Sequence, residues 1–243
     1  MTPTITHNTV DHPIFPTNGK RLTAQVDIAG LGGNTAFYKP MMEGVYYWKQ
    51  NRKMSFGMRG QFEYIGQRES RLEVPIFERL FLGGEYSIRG FDVRMIGPSD
   101  PVTGLVLGGN KTLLFNFEQI FAIAGPVRVI LFYDAGQVRN FGERFGWTET
   151  LTTYDPLPIP PIIDPLGQPG VGLTDPNFKQ TFHTQDVSAF KTSTGAELRF
   201  FMPVLNVPFR LIFALNPQRA GVLDNNLQPQ SFFQFRFAVG TTF

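Results

Sequence analysis

The feature that most constrains this chain is a period of two written almost entirely in phenylalanine. In the run SFFQFRFAVGTTF, residues Phe233, Phe235, Phe237, Val239, Thr241 and Phe243 alternate with Gln234, Arg236, Ala238, Gly240 and Thr242. Successive side chains of a strand point to opposite faces, so such a run makes one greasy face and one polar or small face. The alternation returns in MSFGMRGQFEYIG, where Phe56, Met58, Phe62 and Tyr64 oppose Gly57, Arg59, Gln61 and Glu63. In TGAELRFFM, Ala196, Leu198 and Phe200 oppose Gly195, Glu197 and Arg199. In PFRLIFALNP, Phe209, Leu211, Phe213 and Leu215 oppose Arg210, Ile212, Ala214 and Asn216.

About nine such segments are expected, at 2–15, 20–30, 36–50, 53–66, 110–124, 126–140, 190–203, 208–217 and 231–243. No stretch of comparable length reads as an amphipathic helix, and none is apolar for the ~18 residues a spanning helix needs. Tight turns rich in Pro, Asn and Gly, such as Phe15 to Lys20, Gln50 to Lys53 and Ala124 to Pro126, alternate with longer loops, the largest at 67–109 and 141–189. The second of these carries Asp155-Pro-Leu-Pro-Ile-Pro-Pro161, which favours an exposed, extended loop.

Periodicity alone leaves two architectures open. A soluble sandwich turns its phenylalanine rows onto a second sheet; a membrane barrel leaves them in lipid and turns the polar row inward. Segments near 10 residues exceed the usual 5 or 6 of a soluble strand. The aromatics Tyr46-Tyr47-Trp48, Tyr64 and Phe141 fall near segment ends, where interfacial girdles sit. Both facts favour an all-β, antiparallel transmembrane barrel across residues 1–243.

Composition narrows the function classes. A net charge of +2 without basic clusters gives no footprint for nucleic acid. The absence of cysteine excludes disulfide and thiolate-metal frameworks, and His7, His12 and His183 are too scattered for a histidine metal site. No cofactor or metal is expected. Ser188 and Ser193 lie near His183 and Asp186 but without a nucleophile elbow, so no enzyme is expected.

The most specific stretch is PIFERLFLGGEYSIRGFD, residues 75 to 92, inside the first large loop. Gly83-Gly84 permits an abrupt turn, and Ile88-Arg89-Gly90-Phe91 sets one guanidinium among apolar neighbours. Its five donors suit a carboxylate. Glu118 and Asp134 lie on inward-facing rows of the next two segments and are candidate partners across a hydrated interior; the plainer alternative is a solvated loop arginine and two acids lining a wet lumen.

The run FERLFLGGEYSIRGFD resembles the sixth-loop signature of the BamA-like outer-membrane assembly factors, a superfamily that includes the mitochondrial sorting-and-assembly and chloroplast translocon barrels. His12 to Leu22, YDAGQV at 133–138 and the terminal FQFRFAVGTTF resemble family sequence in the same order. The resemblance implies a loop folded into the barrel with Ile88, Arg89, Gly90 and Phe91 as its anchor and Glu118 and Asp134 as lumenal partners. It also implies a C-terminal strand (Phe235, Phe237, Val239, Phe243) acting as signal and lateral gate, where unfolded outer-membrane proteins are templated strand by strand in the Gram-negative outer membrane.

Family barrels have about sixteen strands preceded by POTRA domains and a signal peptide. Nine strands match only the second half, so the chain reads as the C-terminal part of a larger barrel. The missing N-terminal barrel half, POTRA domains, accessory lipoproteins and the lipid bilayer are its expected partners. The alternatives are a two-partner secretion or autotransporter-assembly pore, or a passive porin.

Overall fold

A computed structural model describes residues 1–30, 36–68, 74–101, 103–154, 182–202 and 207–240. Twelve strands are present: β1 (Thr4–Asn8), β2 (Gly19–Ala29), β3 (Phe37–Lys49), β4 (Met54–Tyr64), β5 (Gly66–Gln67), β6 (Lys111–Ala124), β7 (Val127–Arg139), β8 (Thr148–Tyr154), β9 (Phe182–Ser188), β10 (Lys191–Met202), β11 (Val207–Gln218) and β12 (Phe233–Val239). Nine of them form one antiparallel path, β1-β2-β3-β4-β6-β7-β10-β11-β12, with β5 added beside β3.

The strands between β2 and β11 on this path run 11 to 14 residues. At ~3.3 Å per residue and a tilt near 45°, that length crosses about 26–33 Å, the thickness of a bilayer's hydrocarbon core. The two faces differ as the alternation requires. Along β7, Ile130, Phe132 and Asp134 are buried on the concave side, while Leu131 and Tyr133 are about half exposed on the other. Phe213, Phe233, Phe235 and Phe237 are likewise exposed. No second layer covers these rings among the described residues, which removes the sandwich reading. The hydrophobic face of this sheet is its outside.

The concave face is filled by the chain itself. The long loop after β5 folds back across it and buries Leu82, Ile88, Phe91 and Ile96 against Leu114 of β6, Val138 of β7 and Val222. A second cluster, Phe37, Ile65, Val74 and Leu80, seals the root of the loop. Isolated bridges Leu80 to Gly109 and Leu82 to Ile96 hold its two limbs side by side.

Three expectations need correction. The first segment was expected over 2–15, but β1 ends at Asn8. Pro13 and Pro16 offer no N–H to a ladder, and residues 9–18 form a turn around Asp11, whose carboxylate accepts from the backbone N–H groups of Thr17 (2.9 Å) and Asn18 (3.1 Å) and from the Thr17 hydroxyl (2.5 Å). The loop at 141–189 contains a two-stranded ribbon, β8 paired with β9; its strands are too short and polar to announce themselves by alternation. Its proline-rich segment, 155–161, lies outside the described residues. Finally, Tyr47 does not belong to an aromatic girdle: it faces inward and packs with Val45, Ile120 and Ile130, while Tyr46 and Trp48 on either side point out.

A charge placed on the outer row tests this orientation. Leu131→Arg should destabilise the vesicle-folded protein by roughly 2–4 kcal/mol in urea titrations; an unchanged midpoint would mean that Leu131 does not meet hydrocarbon.

Candidate functional site

The geometry of the site begins with backbone shape. Two glycines let the loop reverse inside the sheet. Gly83 (φ +104°) brings its Cα against the Asp92 carbonyl, where an added Cβ would stand 2.3 Å from the oxygen. Gly90 (φ +86°) is wedged against β11, where an added Cβ would meet the Ala214 Cβ and Asn216 Oδ1 at 2.6 Å each. Only a residue without a Cβ can lie there. The Gly90 carbonyl then accepts from Asn216 Nδ2 (2.9 Å) and Gln230 Nε2 (3.1 Å).

Between these turns, Arg89 has no exposed surface at all. Four of its five guanidinium N–H donors are used. Nε and Nη2 grip Asp134 at 2.8 and 2.7 Å, and Nη1 reaches Glu118 at 2.7 Å and Glu197 at 3.2 Å. Its backbone N–H also donates to Asp134, at 3.0 Å, and the planar head lies 3.9 Å from the centre of the Phe132 ring. Asn116, on the same inward row as Glu118, bridges the Ser87 carbonyl (2.6 Å) and Asp134 (2.8 Å).

The cluster is larger than the expected trio. Glu197 of β10 also accepts from Arg199 Nε (2.8 Å) and is gripped by Arg210 through Nε (2.9 Å) and Nη2 (2.8 Å). Arg199 in turn approaches Glu118 at 3.5 Å. Three guanidiniums thus face three carboxylates and the charges cancel. Cancellation is needed, because an unpaired charge removed from water is very costly.

Of the residues expected at the site, Ile88, Arg89, Gly90, Phe91, Glu118 and Asp134 come together. The expected hydrated interior does not surround them: Arg89, Glu118, Asp134 and Glu197 are essentially without solvent contact. Glu197, Arg199 and Arg210 were missed as members of the cluster. A signal existed, since the register sets Arg199 directly opposite Arg210, and like charges facing across strands require an acid nearby. Reading it needed the pairing register.

The loop tip also reaches the last strand. Tyr86 Oη donates to the Val239 carbonyl at 2.7 Å, while its own carbonyl accepts from Arg59 of β4 at 3.0 Å. Asp92 pairs with Arg236 of β12 and accepts the Asn225 backbone N–H at 2.8 Å. Phe235, Phe237 and Val239 lie on the outward face of β12, opposite Phe213, Leu211 and Phe209 of β11. Phe243 lies outside the described residues.

A sheet of membrane-length strands, greasy outside and plugged inside by a loop held on a buried arginine, defines an outer-membrane β-barrel protein with an inserted loop. The Omp85 superfamily domain model matches residues 1–243, so the chain belongs to that superfamily and to an outer membrane. The outer membrane protein assembly factor BamA of Nitratidesulfovibrio vulgaris is 30% identical over 60% of this chain and 19% of its own length. A SAM50-like protein of Schizosaccharomyces pombe is 29% identical over 56% of this chain and 30% of its own. The crystal structure of Haemophilus ducreyi BamA lacking POTRA domains 1–3 superposes with a TM-score of 0.68 at 20% identity, over 98% of this chain and 41% of that one. The chain therefore spans less than half the length of these relatives.

Two outcomes follow from the site. Arg89→Gln strands Asp134 without its cation and leaves Glu118 only the longer contact with Arg199, so it should cost about 3–5 kcal/mol; heat-modifiable migration in detergent should convert at a clearly lower temperature. For Asp92, partial burial pushes the carboxyl up, but the hydrogen bonds from Arg236 and from the Asn225 backbone outweigh it and leave the pKa below its ordinary 3.8. A depressed folded pKa contributes stability that is complete above the ordinary value and lost as pH falls through the folded one. Proteolysis of the loop should therefore stay slow down to pH about 4 and quicken only below it, and Asp92→Asn should remove that pH dependence.

Proposed function

We propose that this chain is the C-terminal barrel portion of an outer-membrane protein assembly factor of the BamA type, working in the Gram-negative outer membrane. Its clients are unfolded outer-membrane proteins, templated strand by strand at a lateral gate. The BamA and SAM50-like relatives support the assembly role, and the bacterial BamA sequences support the bacterial location. This reading calls for no covalent step; Ser188 donates to the Phe190 carbonyl and Asp186 accepts from the Thr150 hydroxyl.

The observation that carries this reading is the tie between the arginine-anchored loop and β12, through Tyr86 to the Val239 carbonyl and Asp92 to Arg236. Gly240 N–H donates to the Pro208 carbonyl and Asn216 N–H to the Phe232 carbonyl. Even-numbered residues of β12 therefore bond to β11, and the N–H and C=O groups of Phe233, Phe235, Phe237 and Val239 face away from it. Among the described residues no strand pairs with that side. In this reading that side of β12 is where the rest of the barrel closes and where an incoming strand is templated.

In this scheme Arg89 anchors the loop. The loop braces the concave face, and through Tyr86 and Asp92 it holds β12 in place for pairing. The rest of the barrel, POTRA domains and accessory lipoproteins complete the machine. A passive porin needs neither an inserted loop nor a buried arginine, and the network disfavours it. A two-partner secretion or autotransporter-assembly pore shares the loop and differs in what crosses the lumen.

Proline substitution separates templating from folding. Phe237→Pro removes an N–H from the open side while leaving the β11 ladder intact. In full-length protein it should slow client insertion into proteoliposomes severalfold without changing heat-modifiable migration. Normal insertion by that variant would refute templating at this edge. Arg89→Glu should impair assembly, with partial recovery when Asp134 or Glu118 is changed to a cation.

A further inference from the structure

The register places Arg128 of β7 beside Arg199 of β10, and Arg199 beside Arg210 of β11. Three cations thus sit side by side on the concave face, near the end of the sheet closed by short turns. Glu197 serves Arg199 and Arg210. Among the described residues Arg128 has no such partner: its guanidinium donates to the backbone carbonyls of Gly125 (2.6 Å) and Val127 (3.0 Å), and it lies 4.6 Å from the centre of the Phe15 ring. The head is held in place by neutral groups with its charge uncompensated.

Arg128 lines a recess of about 100 Å³ together with Phe15, Thr17, Lys49, Arg52, Lys53, Ser55, Ile130 and Arg199. Five cations border it, of which Arg199 is neutralised by Glu197, and no carboxylate is among its described lining residues. Asp11 lies in the adjoining turn, and its oxygens are already taken by Thr17 and Asn18. From these observations we infer that the recess is an anion-binding site at the short-turn mouth of the lumen, and that it takes the carboxylates of an acidic polypeptide segment.

Three features select a polypeptide over a lipid headgroup or free phosphate. The recess opens on the concave face, where Ser55, Ile130 and Arg199 are inward residues, and Met54 is the one strand residue of the outward row at its rim. Its size suits one carboxylate-bearing side chain at a time. Lys49, Arg52 and Lys53 extend the positive charge along the exposed β3–β4 turn, so a chain carrying several acids can follow the turn into the recess. Complementary charge of this kind speeds encounter and sets orientation. The inference is independent of strand templating at β12.

The test is fluorescence anisotropy of a labelled Asp/Glu-rich peptide and its Asn/Gln counterpart, with the whole protein in zwitterionic detergent. The acidic peptide should bind, weaken with salt, and lose roughly tenfold in affinity in the exposed-turn double variant Arg52→Glu/Lys53→Glu. Arg128→Gln should weaken it as well. Arg144→Glu, at the long-loop end, should leave it unchanged, and all variants should keep wild-type heat-modifiable migration. Equal binding of the Asn/Gln peptide, or indifference to both the turn and Arg128 variants, would overturn the site. Inorganic phosphate or anionic vesicles bound through Arg128 in place of the peptide would overturn its assignment to a polypeptide.

Discussion

A guanidinium with no access to water has to be surrounded by opposite charge, and much of this structure follows from meeting that demand at Arg89. Asp134 grips it side-on, Glu118 and Glu197 close the circle, and the carboxylates come from three different strands. Asp134 would be buried without its cation if the loop were absent, and the loop's arginine would be intolerable without the sheet. The loop and the sheet therefore stabilise each other, and the glycines at 83 and 90 are the backbone's concession to the tight approach this requires.

The same cluster explains how a polar inner face can be dense. Leu114 is buried against the loop, Ile130 against Val45, Tyr47 and Ile120, and Ile212 against Phe132, Ala214 and Ala238. A hydrated channel of the porin kind would leave these side chains wet. Here the loop takes the place of water, and its tip carries the connection onward from β4 through Tyr86 to β12. Internal order and edge geometry are thereby linked in one continuous set of contacts.

Much of the fold was legible because strand periodicity is a local property. Phe213 and Phe235 sit outward, and Arg210 and Asp134 inward, wherever the strand is placed. Shorter elements escaped this reading. The β8–β9 ribbon has no greasy row, and β1 stops where Pro13 and the Asp11 turn take over from the ladder. Of the site, the Ile88-Arg89-Gly90-Phe91 run and the acids at 118 and 134 could be named from the chain, whereas Glu197 could not be tied to them. It lies 108 residues from Arg89, and nothing local connects the two.

By itself the sequence determined which side chains share a face, because the two-residue period of an extended backbone is set by covalent geometry. It also placed Arg59, Arg199, Arg210, Glu118, Glu197 and Asp134 on the inner rows, and the resemblance of the loop implied that Arg89 would join them. Only the tertiary structure decided how those charges divide: which acid takes two arginines, which arginine is left to backbone carbonyls, and that the meeting place is dry. Those outcomes depend on strand register and on the path of the loop, and both are settled by packing between residues far apart in the chain.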